Sequence, residues 1–93
     1  MRLGMKKAAS EGYEQAPGVI LQGHMDMVCE KMGELAHDFT TDPLKLQIDG
    51  DFISANDTTL GADDGIAVAY MLALLDNKEL AHPAIEAVFT TEE

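Results

Sequence analysis

The sequence predicts an α/β fold with a mixed sheet, a β-hairpin and a buried helix. Three observations carry that expectation. An aliphatic run from Gly18 to Gln22 has the β-branched character of a buried strand. Leu44 to Ile48 and Asp51 to Ala55 alternate apolar and polar residues on either side of Asp49-Gly50, the pattern of a hairpin. Asp63 to Asn77 then reads as a helix, and Ala84 to Thr91 as a further strand. Strand, hairpin, helix, strand is the order of an α/β layer.

Each element follows from local chemistry. Residues 1–16 are mixed and polar, with Gly4 and Gly12 as punctuation, and predict an irregular lead-in with at most an incomplete strand. Residues 17–93 are expected to form one partial domain. Gly23 ends the first strand, and His24 to Asp42 forms a long connection with few periodic cues. Connections of that length are often functional. Asp-Gly readily adopts the φ > 0 conformations of a type I′ turn, which favours it between the hairpin strands.

Asp63 or Asp64 is expected to cap the helix, since a carboxylate suits its free N–H groups and the positive end of its dipole. Ile66, Val68, Tyr70, Met71, Leu72, Leu74 and Leu75 surround the helix axis almost completely. A helix apolar on all sides must be covered on most of them. His82-Pro83 breaks the chain before the last strand, which delivers Glu92 and Glu93. The chain ends at Glu93, in mid-motif.

Composition narrows the function classes. Ninety-three residues suffice for one small domain with a marginal core, and 46% hydrophobic content argues against disorder. Seventeen acidic residues against six basic ones give a net charge of -11. Nothing here neutralises phosphates, so nucleic acid and anionic membranes are not expected partners. Cations suit the balance better. The single cysteine, Cys29, excludes an internal disulfide, fits a reducing cytoplasmic setting, and is expected to be a small buried apolar residue. The basic residues near Met1 are followed by no apolar stretch, unlike a signal peptide. Ile66 to Leu75, the longest apolar run, is too short to span a bilayer.

The chemistry-bearing residues lie where predicted elements begin or end. His24 and Asp26 are two apart at a strand end, so in extended chain both face one side. A metal-ligating imidazole usually donates its other N–H to a carboxylate, a partnership that His24 and Asp26 can form. Asp63 and Asp64 stand at a helix start, where one carboxylate can bridge two cations. Glu92 and Glu93 follow a strand end, where one can bind metal while the other takes a proton from a metal-bound water. These residues are the raw material of a two-metal hydrolytic site.

From Gly18 to Glu93 the sequence resembles the catalytic domain of the di-zinc exopeptidases. That group includes carboxypeptidase G, aminoacylase, peptidase T and the cytosolic dipeptidases. Within it the chain most resembles the aminoacyl-histidine dipeptidase branch, also called cytosol nonspecific dipeptidase. The resemblance rests on Leu21-Gln22-Gly23-His24-Met25-Asp26-Met27-Val28, on Thr58-Thr59-Leu60-Gly61-Ala62-Asp63-Asp64-Gly65-Ile66, and on Thr91-Glu92-Glu93. It implies a partial zinc-exopeptidase catalytic domain. His24 would ligate one zinc and Asp26 would orient it. Asp63 would bridge two zincs, Glu93 would ligate the second, and Glu92 would be the general base. Co2+ or Mn2+ could replace Zn2+.

The implied reaction is hydrolysis of dipeptides, often with C-terminal histidine, in the cytoplasm by homodimeric full-length proteins. Two departures are visible: Gly65 where many relatives carry lysine, and Asp57 where the branch tends to have glycine. The family's remaining aspartate and histidine ligands and its smaller second domain fall beyond Glu93. Neither His37 nor His82 is expected to replace them, both being assigned to exposed loop or strand-edge positions. These 93 residues alone are therefore expected to have negligible activity. Two alternatives stand beside this reading. One is a noncatalytic acidic module that binds a divalent cation or a partner. The other is a related tripeptidase or N-acyl amino acid hydrolase.

Overall fold

The computed structural model describes residues 1–92. Its element order is β1 (Arg2–Lys7), β2 (Val19–His24), β3 (Leu46–Asp49), β4 (Phe52–Ala55), α1 (Ala62–Asp76) and β5 (Ile85–Thr90). The chain divides into two compact units, Met1–Asp26 with the segment from Asp63 onward, and Met27–Ala62.

The first unit is a three-stranded mixed sheet with α1 against it. Strand order is β1-β5-β2, so the last strand lies in the middle. β2 runs parallel to β5, with Val19 opposite Ile85 and His24 opposite Thr90. β1 runs antiparallel to β5, from Arg2 opposite Thr90 to Lys7 opposite Ile85. The expectation of an irregular lead-in over residues 1–16 is therefore corrected. Six of those residues form a complete strand, and Ser10 joins the turn before β5 through its amide to His82 O at 2.9 Å.

Packing explains why β5 is central. Ile85, Ala87 and Phe89 alternate along it and are buried, as a strand facing a helix requires. Met71 of α1 joins Ala87 and Phe89 in the core, with Leu21, Val68 and Leu75 packed around them. Lys7 closes the far end of α1: its ammonium donates to Leu74 O at 2.9 Å and to Asn77 O at 2.5 Å. Those carbonyls have no intrahelical donor, and the cation also suits the negative end of the dipole. The helix was expected to be covered on most sides, yet Ile66 is 60% exposed and Tyr70 66%. No described helix is long and apolar enough to cross a membrane.

The second unit holds the hairpin and the long connection. Asp49 pairs with Phe52, so the loop residues are Gly50 and Asp51, one position later than expected. Gly50 has φ +60, and Asp51 is not among the residues with positive φ. That combination suits a type II′ turn, with glycine first, rather than type I′. The connection is held by its own hydrogen bonds: Thr59 N–H to Glu30 O at 2.9 Å, and Thr59 Oγ1 to Val28 O at 2.7 Å. Asp57 has φ +56. It thus adopts the left-handed conformation that glycine takes most easily, which aspartate tolerates better than most residues. Cys29 is exposed, contrary to the buried position expected for it.

Candidate metal centre

The site lies in the first unit, at the carboxyl ends of the parallel pair β2 and β5, where open α/β sheets present their functional groups. β2 carries His24 as its last residue. The start of α1 brings Asp63 to it: His24 Nε2 stands 3.0 Å from Asp63 Oδ1. The Asp63 side chain is 94% exposed and that of His24 32%, so the pair is open to an incoming cation.

Asp63 is presented by the start of α1, close to where the sequence places it. Asp63 and Asp64 have non-helical backbone angles, and the peptide between them is cis. Regular helix therefore begins only after them. Their carboxylates reach across to β2: Asp63 meets the His24 ring, and Asp64 Oδ2 accepts the His24 backbone N–H at 3.1 Å. Gly23 permits that approach. A Cβ on it would stand 3.1 Å from Asp64 Oδ2 and 3.1 Å from Ala67 Cβ.

The other imidazole nitrogen is held by Asp26, though mainly through its backbone. Nδ1 lies 2.8 Å from the Asp26 carbonyl oxygen and 3.3 Å from Oδ1 of its carboxylate. With Nδ1 protonated to donate to these oxygens, Nε2 is left to face a metal. The Asp26 carbonyl raises the pKa of His24 above its ordinary 6.5, with smaller contributions from the Asp63 and Asp64 carboxylates. Asp26 Oδ2 accepts the Glu92 backbone N–H at 3.2 Å. That bond is the largest cause of a lowered Asp26 pKa.

The sequence-predicted residues His24, Asp26 and Asp63 thus come together, with the backbone of Glu92 tied to them. Glu93, the expected ligand of the second zinc, lies outside the described residues. Sequence reasoning missed the tether from Asp64 and the part played by the Asp26 carbonyl. The Asp-Asp doublet signalled the first, whereas nothing in residue type signals a backbone carbonyl. His37 and His82 are half-buried rather than exposed, and His82 Nδ1 is engaged with the Pro83 carbonyl at 2.7 Å.

Imidazole and carboxylate are the donor types that zinc takes. Two ligands ~2.0–2.1 Å from one tetrahedral zinc stand roughly 3.3 Å apart. The His24–Asp63 pair at 3.0 Å needs to open by only a few tenths of an ångström to reach that spacing. Among the described residues no group of three or more His, Cys, Asp or Glu side chains could hold a metal. This chain's described residues therefore fit zinc in donor type and spacing, and supply two of the roughly four ligands one ion needs.

No protein-family profile matches the chain. Its sequence is 43% identical over 89 residues to the cytosol non-specific dipeptidase of Escherichia coli, covering 96% of this chain and 18% of that protein. Its fold matches the crystal structure of aminoacylhistidine dipeptidase from Vibrio alginolyticus with a TM-score of 0.90 and 47% identity. That match covers 99% of this chain and 19% of the other. The chain thus spans about a fifth of the length of the relatives it matches. Along nearly all of its residues the chain is therefore similar, in sequence and in fold, to one stretch of the aminoacyl-histidine dipeptidases.

Proposed function

We propose that this chain carries part of the catalytic centre of a zinc-dependent dipeptidase, acting in the cytosol on dipeptides that include those with C-terminal histidine. The observation that carries the reading is the His24–Asp63 pair, 3.0 Å apart at the carboxyl ends of two parallel strands. In this reading His24 would hold one zinc, Asp63 would be shared with a second, and Glu93 would hold the second. Bound zinc supplies a water whose pKa is lowered towards ~7 and polarises the peptide carbonyl. Complete chains pair as homodimers.

The chain's own residues then divide the work. Nε2 of His24 must be deprotonated to serve as a ligand, and the Asp26 carbonyl fixes the tautomer that leaves it so. Asp64 holds the His24 backbone against the helix start, which sets the spacing to Asp63. Glu92 accepts the proton of the attacking water and passes it to the leaving amine. Dipeptide turnover by the complete, zinc-loaded gene product tests the reading. Glu92→Gln is expected to lower kcat for Ala-His by roughly 10²–10⁴, the usual range for a general base. Unchanged turnover in that variant would sink the assignment.

A further inference from the structure

The ladder between β2 and β5 runs to His24 opposite Thr90, and one more main-chain bond, Met25 N–H to Thr90 O at 2.7 Å, extends it. Regular parallel pairing would take the Glu92 N–H to a carbonyl of the facing strand. Here it goes to a side chain, Asp26 Oδ2, at 3.2 Å. Register makes this possible. Asp26 lies two residues past His24 and Glu92 two past Thr90, so the pair continues the alignment of the strands.

Glu92 also has φ +54, a left-handed conformation uncommon outside glycine. Such a backbone persists only where its surroundings hold it. Meanwhile the His24 ring has its shorter Nδ1 contact with the Asp26 carbonyl, 2.8 Å against 3.3 Å for the carboxylate. The carboxylate is therefore not the main support of the imidazole.

We propose that the Asp26 carboxylate is the positioning residue for Glu92, holding its backbone so that the glutamate is aimed, while the Asp26 carbonyl orients His24. The inference rests on the dipeptidase reading, in which Glu92 is the base. It divides one residue between two tasks, and the two are separable because no substitution of the Asp26 side chain removes its carbonyl.

The test measures kcat and KM for Ala-His, and the zinc dissociation constant, in the complete gene product. Asp26→Ala is expected to lower kcat about 10–100-fold through misplacement of the base. KM and zinc affinity should stay within about threefold, because the imidazole keeps its carbonyl partner. Asp26→Asn retains an oxygen that can accept the Glu92 N–H, and should recover most of kcat. Combined with Glu92→Gln, Asp26→Ala should cost little more.

The opposite pattern overturns the inference: zinc affinity falling about 10–100-fold in Asp26→Ala, as for loss of a group that orients a metal-bound histidine, with kcat kept at saturating zinc. So does a full Asp26→Ala loss that persists alongside Glu92→Gln. Should Asp26→Ala fail to fold, Asp26→Asn decides, a retained kcat supporting the inference and a large loss overturning it. Full turnover in Glu92→Gln removes the dipeptidase reading itself and the inference with it.

Discussion

At the proposed site, His24 is where proton and metal would compete. Its ring is flanked by the Asp26 carbonyl and the Asp63 carboxylate, and its pKa is raised above 6.5 by the first more than the second. The sign follows directly. The contacts of the protonated ring contribute stability below the unfolded pKa, and that contribution is lost as pH rises through the higher folded value. Zinc needs the neutral ring, so its apparent affinity should fall as pH drops through the same range. An NMR titration of the metal-free protein should place His24 above 6.5, with Asp63→Ala lowering it. A midpoint at or below 6.5 would contradict the geometry at Nδ1 and Nε2.

At this scale the sequence was informative about side chains and silent about backbone. His24, Asp26 and Asp63 are legible because imidazole and carboxylates at element ends suit metal chemistry. Asp57 is instructive in another way: it stands where the branch tends to have glycine, and the chain keeps the glycine-like angle with φ +56. The Asp26 carbonyl was not readable, since any residue has one and only the fold aims it.

Elements formed by local pattern were the easier ones to foresee. β5 alternates buried and half-buried residues, and the hairpin needed only a one-residue shift of its turn. β1 was not foreseen, because Arg2, Gly4, Lys6 and Lys7 are poor strand formers without a partner. Its partner is β5, at the other end of the chain, and no local signal announces such pairing. The start of α1 at the Asp-Asp doublet was foreseen, whereas the partners that β2 supplies to Asp63 and Asp64 were not.

Lys7 belongs to the same scale, linking the strand that was missed to the helix that was found. Its bonds to Leu74 O in the last turn of α1 and to Asn77 O just beyond it should be worth about 1 kcal/mol together with the dipole. In Lys7→Met the amides of the final turn, up to Asn77, should exchange with solvent about fivefold faster. Unchanged protection there would show that the ammonium does not secure the helix end.

Across the whole molecule, charge and exposed apolar surface point the same way. A net charge of -11 suits cations and disfavours phosphate-bearing partners. In the first unit Ile66 and Tyr70 of α1 lie open, and in the second Ile48 and Phe52 are each 78% exposed on a hairpin of two strands. Surface of that kind is ordinarily covered. This accords with a chain that spans about a fifth of the length of the dipeptidases it matches.

Zinc stoichiometry of the complete gene product is the most direct test of the proposed metal centre. Two tightly bound zincs per chain are expected, with His24→Ala losing one and the bridging role of Asp63 making Asp63→Ala weaken both. No zinc bound, or two zincs held equally well by all three proteins, would contradict the assignment of His24 and Asp63 to a di-zinc dipeptidase site.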